Sequence, residues 1–317
     1  MIILSCGDAP RDNPLDPLSP YPAPVSVVSG TVAVAGPGTP IAGALVTCLE
    51  SGLTIATDAS GTFQFDRLTA GTWTFSCAVD FFDSETSVVS LDLGGMENLG
   101  FRLNAPPIAT SQKITTHKVD QYFPSPQYYV DVFAAVTDPN GVTEVASVWI
   151  VVDTLSRTMP FSPTSGFFEA RLFKYDIPTN TIQWLVGKPL HIGSKDIHGS
   201  TRIGDPFVVT RVIENGATPV SPASGSDDTT GTQPTLVWSP PSVTFTYSYT
   251  LTIARIEAGT QTIVWTLSGV NSVLQSLGFP GDGSGTQLIP GNYVWSISVI
   301  DEFGNSCRSK EAAFVVQ

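Results

Sequence analysis

The 317-residue sequence predicts an all-β protein built as three consecutive β-sandwich domains with almost no helix. Composition is the first reason. Charged residues make up only 14% of the chain, against roughly 25% in an average soluble protein, and Lys and Glu accumulate on helix surfaces. Punctuation is the second. The 28 glycines and 25 prolines interrupt segments rich in Val, Thr and aromatic residues, the pattern of short strands joined by turns. The third is period-two alternation in several separate stretches, which marks half-buried strands. A hydrophobic fraction of 42% is enough to build cores and excludes a disordered chain.

The formal net charge is −13, carried as −2 by residues 1–24, −6 by 25–104, −1 by 105–216 and −4 by 217–317. An acidic surface repels phosphate backbones, so nucleic acid is not an expected partner. Lys and Arg nowhere cluster into a patch for anionic lipid, and no run reaches the roughly 18 apolar residues of a membrane span.

Residues 1–24 come first. Ile3, Leu4, Ser5 and Cys6 resemble the end of a bacterial lipoprotein signal, in which apolar residues and a small residue lead to a cysteine that is lipidated. The resemblance implies that Cys6 carries lipid and that the protein is extracytoplasmic, anchored to the cell envelope at the outer membrane or cell surface. Pro10, Pro14, Pro17, Pro20, Pro22 and Pro24 follow. They favour an extended polyproline tether rising about 3.1 Å per residue.

Residues 25–104 read as the first sandwich. Val25 to Val34 opens it, Ala44, Val46 and Cys48 alternate with Leu45 and Thr47, and Phe63 and Phe65 alternate with Thr62 and Gln64. Trp73, Phe75, Cys77 and Val79 share one face of a longer strand. The runs Ser29-Gly30-Thr31-Val32, Pro40 to Val46, Thr57 to Phe65 and Gly71 to Phe75 resemble the carboxypeptidase regulatory-like domain. That resemblance implies a transthyretin-like Greek-key sandwich of about seven strands, non-catalytic, of the kind that supports folding, carbohydrate contact or assembly. Phe81-Phe82 stands where the family commonly has Gly-Tyr. Cys48 and Cys77 both point inward by parity. In an oxidising compartment they could form a disulfide; otherwise they pack as small hydrophobic thiols.

Ala105-Pro106-Pro107 reads as a linker into a middle module, 105–216. Strands are expected over Tyr128–Val136, Val145–Val152, Phe167–Tyr175, Ile182–Leu185 and Phe207–Val212. A strand ending in Asp138-Pro139-Asn140-Gly141, with the next beginning after Val142, resembles the immunoglobulin-like domains of bacterial surface proteins. Asp138, Asn140 and Glu144 are candidate calcium ligands through their oxygens, although a turn needs the same residues for local hydrogen bonds. His191, Asp196 and His198 suggest a metal, but a seven-residue separation fits neither one helix face nor one short strand. Ser194 and Ser200 lie near those histidines, yet no G-x-S-x-G elbow occurs in the sequence, and a hydrolase triad is not expected.

In residues 217–317, Pro234 to Trp238 precedes the alternating Phe245, Tyr247, Tyr249, Leu251 and Ile253. Gly291-Asn292-Tyr293-Val294-Trp295 continues into Ile297 and Val299, and Phe314-Val315-Val316 closes the segment. An early Trp in one sheet and a Gly-x-Tyr-x-Trp strand in the other resemble the fibronectin type III-like fold. Asp227, Asp228 and Asp282 could meet at one end, and Cys307 has no partner within its own segment.

No catalytic constellation emerges, so the sequence points to a non-enzymatic cell-envelope lipoprotein. Its expected role is that of a spacer, adhesion or protein-interaction module, with other envelope proteins as partners. The alternative is a carbohydrate-binding accessory protein contacting extracellular glycans, with Trp184, Phe81 and Phe82, which fall outside clean alternation, as candidate contacts. No cofactor is called for beyond the calcium candidate.

Overall fold

The computed structural model describes residues 25–223 and 229–317. Cys6, the Pro-rich segment, Asp227 and Asp228 lie outside them. Among the described residues the protein is strands, turns and three single-turn 3-10 helices. They fold into two compact units. One holds the residues up to 108 with 137–146 and 194–202, and the other holds 109–136, 147–193 and 203–317.

The first unit is a two-sheet sandwich. Its strands are β1 (Ser26–Val34), β2 (Leu45–Cys48), β3 (Leu53–Ala56), β4 (Thr62–Leu68), β5 (Gly71–Ala78), β6 (Glu85–Leu91) and β7 (Met96–Leu103). One sheet runs β4-β1-β7, with β1 and β7 parallel, and the other runs β3-β2-β5-β6. The alternation in the sequence is the alternation of burial: Val46, Cys48, Phe63, Phe65, Phe75 and Cys77 all enter the core, with Phe101 and Leu103 from β7. Gly30 sits where the sheet meets its filling, since a Cβ there would overlap the Phe63 ring and the Leu99 carbonyl.

Cys48 and Cys77 are free thiols, so the disulfide alternative gives way to the packing one. The register explains it. Val46 lies opposite Cys77 and Cys48 opposite Phe75, which makes the cysteines diagonal neighbours. Diagonal Cα atoms in a sheet stand about 7–8 Å apart, whereas a disulfide usually needs about 4.4–6.8 Å. Burial pushes the Cys77 thiol up to about 11, so little nucleophilic thiolate exists at neutral pH. Iodoacetamide should therefore leave Cys48 and Cys77 unlabelled in the native protein and label both after denaturation without reductant. A pair that resists labelling in denaturant until it is reduced would establish the bridge.

The remaining strands are β8 (Ile108–Val119), β9 (Gln127–Thr137), β10 (Val145–Val152), β11 (Leu155–Thr158), β12 (Phe161–Ser162), β13 (Phe167–Phe173), β14 (His191–Asp196) and β15 (Thr201–Ile203). They are followed by β16 (Thr218–Ser221), β17 (Thr229–Thr230), β18 (Thr235–Ser239), β19 (Tyr247–Glu257), β20 (Thr260–Asn271), β21 (Ser276–Gly278), β22 (Gly291–Asp301), β23 (Ser306–Arg308) and β24 (Ala312–Val316). One ten-stranded sheet has the order β12-β13-β9-β8-β23-β22-β19-β20, with β24 on β22 and β17 on β24. Smaller sheets run β11-β10-β14-β15 and β16-β18-β21.

Two expected strands are absent. Ile182–Leu185 is a 3-10 turn, begun where the Thr181 hydroxyl accepts from the Gln183 amide after Asn180 enters the left-handed region at φ 54. Phe207–Val212 makes only isolated bridges, Phe207 to Leu190 and Val209 to Val186.

The segments expected as separate middle and last modules share the large sheet. β8 runs parallel to β23, with His117 opposite Ser306, Lys118 opposite Cys307 and Val119 opposite Arg308. Asn305 sits beside this seam, 2% exposed. Its Oδ1 accepts from the Thr116 amide at 2.9 Å and its Nδ2 donates to Asp301 at 2.9 Å and to the Thr210 hydroxyl at 3.1 Å. The aromatic core lies in the carboxy-terminal part of the chain, where Trp238, Tyr249, Tyr293, Trp295 and Phe314 pack with Leu251, Ile253, Ile297 and Val299.

Candidate functional site

The residues that combine chemistry with accessibility lie in the second unit, on the outer face of β8, β9 and β13. Strand parity builds that face. Val130, Val132, Ala134 and Leu172 are fully buried, so their neighbours Tyr129, Asp131, Phe133 and Arg171 point the other way. The antiparallel register sets Phe173 opposite Tyr129, Arg171 opposite Asp131 and Glu169 opposite Phe133. Aromatic rings and charged groups thus alternate along β9, and on β13 the charged Glu169 and Arg171 lead to Phe173.

A row of rings crosses the face. The His117 imidazole stacks on Tyr129 at 4.8 Å between centroids, Tyr129 lies 5.9 Å from Phe173, and Phe173 stacks on Tyr175 at 5.3 Å with the planes 12° apart. Tyr175 is 70% exposed. It follows β13 in the 3-10 turn Lys174–Asp176, held because the Asp176 carboxylate accepts from the Phe173 amide.

The charged groups are fixed as firmly. Arg171 donates through Nε and Nη2 to the two oxygens of Asp131 at 2.7 and 2.8 Å, and its guanidinium lies 4.2 Å from the Tyr129 ring centroid. His117 is partnered by Ser306 at Nδ1 and by Thr115 at Nε2. Burial, outweighing the nearby Asp131 carboxylate, holds its imidazole below the ordinary value and therefore neutral at neutral pH. Beside the ring row, Asp131, Phe133, Glu169, Ala170 and Arg171 line an open depression of about 340 Å³. Such a surface can stack against the apolar face of a ligand while offering donors and acceptors to its polar edge.

The residues singled out in the sequence are placed elsewhere. Phe82 packs on the first core. Phe81 is 70% exposed and holds φ 70 where the family resemblance has glycine, with the Arg202 guanidinium 4.7 Å from its ring centroid. Trp184 belongs to the second unit, half-buried, with the Lys188 ammonium 4.3 Å from its ring centroid.

Asp138 and Asn140 form the turn. Asp138 Oδ1 accepts from the Asn140 amide, and Asn140 spends its side chain on the Ala105 amide and the Ala35 and Leu103 carbonyls. Glu144 pairs with His198 at 3.4 Å, and burial raises Asp138 above its ordinary value. Asp196 accepts from the Gly199 and Ser200 amides and from Asn104, whose amide also reaches Asp83; the Ser200 hydroxyl is bonded to Asp83 as well. Ser194 donates to the Pro107 carbonyl, and His191 meets the Gly204 carbonyl. Among the described residues, no three His, Cys, Asp or Glu group so as to hold a metal ion.

Sequence reading missed the ring row because its two strands were recognised without their register. The outward parity of Tyr129 and Asp131, and of Arg171 and Phe173, was the available signal. Their meeting needs a pairing across 40 residues that no local pattern encodes.

Comparison with known proteins bears first on the amino-terminal sandwich. Residues 27–104 match the carboxypeptidase regulatory-like domain. The match covers the first unit's seven strands and leaves residues 105–317 outside it. No curated protein matches the chain. Among solved structures, it is similar to BcpA, the major pilin subunit of Bacillus cereus, at 11% identity and TM-score 0.34, covering 89% of this chain and 91% of that one. It is also similar to the FN1–FN3 domains of chicken CNTN1, at 10% identity and TM-score 0.33, covering 86% and 90%. The fibronectin(III)-like modules of Clostridium thermocellum CbhA align at 10% identity and TM-score 0.30, covering 66% and 92%.

Proposed function

We propose that this chain is a non-enzymatic cell-envelope lipoprotein, tethered through Cys6, that acts as a stiff spacer presenting an interaction surface to other envelope proteins. The observation that carries the reading is the β8–β23 seam. A string of sandwiches on flexible linkers bends at every joint, whereas strands shared across a joint, with a buried Asn305 beside them, make the second unit, residues 109–136, 147–193 and 203–317, one continuous support. The second reading, a glycan-binding accessory protein, is favoured by the ring row and charged pair on the outer face of β8, β9 and β13.

The test is fractionation and protease shaving of intact bacteria expressing the protein from its own gene. The expected result is a membrane-bound protein cleaved by external protease, with Cys6→Ser released in soluble form. Cytoplasmic protein, or a Cys6→Ser variant that remains membrane-bound, would refute the proposal.

A further inference from the structure

The geometry points to a glycan site: the outer face of β8, β9 and β13 binds a neutral oligosaccharide chain, with Tyr175 as stacking platform and Asp131, Arg171 and Glu169 as polar contacts. The inference deepens the glycan-binding reading and takes its ligand class from it. A sugar ring carries C–H groups on one face and hydroxyls around its rim, so it needs a flat apolar surface beside fixed donors and acceptors.

Tyr175 supplies the flat surface. Phe173 backs one side of its ring at 5.3 Å and 12°, while the residue as a whole is 70% exposed. A ring already held by its neighbour loses little rotamer freedom when a ligand settles on it.

The polar groups are also pre-set. Arg171 is locked in a two-point pair with Asp131 yet has a side chain 51% exposed. Its remaining N–H groups are donors, and the Asp131 oxygens retain lone pairs, so adjacent sugar hydroxyls meet a donor and an acceptor side by side. Glu169 lines the same depression with Asp131 and Arg171 and adds a further acceptor. The depression, about 340 Å³, is within the range of small-ligand sites.

Charge selects the neutral ligand. Asp131 and Arg171 cancel, and residues 105–216 carry only −1 of the chain's −13. Neither an acidic polysaccharide nor a cationic peptide gains a steering field here. A second copy of the chain would bring Glu169, the charge left over once Asp131 and Arg171 cancel, against itself, so self-association is the outcome the charges disfavour.

The test begins with the full chain on an array of neutral β-glucan, xylan, mannan and chitin oligomers, with polygalacturonate and heparin as charged probes. The tightest neutral oligomer is then titrated by calorimetry against the parent, Tyr175→Ala and Glu169→Gln. The expected result is binding of a neutral oligomer, weakened tenfold or more by Tyr175→Ala and several-fold by Glu169→Gln, with melting temperatures unchanged. Chemical-shift mapping on the unmodified protein should move resonances within 129–133 and 167–175. Binding to no neutral oligomer, binding only to the charged probes, concentration-dependent dimerisation through this face, or shifts confined to other residues would each overturn it. Binding of a neutral oligomer with shifts confined to other residues overturns this site and leaves the glycan-binding reading standing, whereas binding of no oligomer overturns both.

Discussion

Trp295→Ala should lower the stability of the second unit by about 3–5 kcal/mol, the range for deleting a buried Trp or Phe side chain. Trp295 is 1% exposed, opposite Ile253 on β19 and Ala312 on β24. Leu251, Tyr293, Ile297 and Phe314 belong to the same core, and strand-bound neighbours can collapse only partly into the space left behind. The indole also donates to the Pro222 carbonyl at 2.9 Å, and removing the donor leaves that buried acceptor unpaired. Trp295→Phe separates the two losses. It keeps most of the apolar volume and forfeits the hydrogen bond, so about 1–3 kcal/mol should remain. In a unit of this size each kcal/mol shifts the melting temperature by roughly 2–4 °C, so the alanine variant should melt on the order of 10 °C lower. Urea titration followed by circular dichroism measures both. An alanine variant within about 0.5 kcal/mol of the parent would mean the core does not depend on this ring.

Much of that core was legible in the sequence, because alternation is a local property. Tyr293, Trp295, Ile297 and Val299 share a face by parity alone, as do Val46 with Cys48 and Phe63 with Phe65, and all are buried. The glycine-bearing turns were legible for the same reason: Gly61 adopts φ 70 after Asp58 accepts from the Ser60 and Thr62 amides. Pairing was not legible. β8 reads Ile-Ala-Thr-Ser-Gln-Lys-Ile-Thr-Thr-His-Lys-Val, too polar to announce itself, yet it joins β9 to β23. The Ile182–Leu185 turn was misread because a four-residue apolar run does not distinguish a strand from one turn of helix. The cysteine pair shows the same limit. Parity places Cys48 and Cys77 on one face, and only register shows them diagonal. For the candidate site, sequence favoured Trp184, Phe81 and Phe82, the rings that fall outside clean alternation. The platform instead arises where two strands bring Tyr129, Asp131, Arg171 and Phe173 together and β13 delivers Tyr175 at its end.

Asn305→Ala is the second large effect, and it should fall on the seam. Only three residue pairs join β8 to β23, so the side chain beside them matters more than its size suggests. Without it the Thr116 amide, in a residue 0% exposed, loses its acceptor, and the Thr210 hydroxyl and Asp301 Oδ2 lose a donor. A buried polar group left unpaired costs about 1–3 kcal/mol. Arg211 still neutralises Asp301 at 3.2 Å and limits that part of the loss, so a total near 3 kcal/mol is expected. Asn305→Asp should not rescue it. The Oδ1 acceptor for Thr116 returns, but a second carboxylate then faces Asp301, and each disfavours ionisation of the other. The introduced acid has its folded pKa raised above the unfolded value of about 3.9, so Asn305→Asp loses stability as pH rises from there through the folded value. Amide exchange distinguishes a local from a global effect. With a loss of about 3 kcal/mol confined to the seam, exchange at Thr116–Val119 should quicken on the order of 100-fold, since 1.4 kcal/mol is a factor of ten, while Val130–Ala134 changes little. Trp295→Ala should show the opposite pattern, fast exchange along β19 and β22 with a smaller change at β8. Equal acceleration at every site in Asn305→Ala would mean that β8 and β23 open only when the whole unit unfolds. Unchanged rates at Thr116–Val119 would mean that Asn305 does not hold the joint and that the support is no stiffer there than a linker.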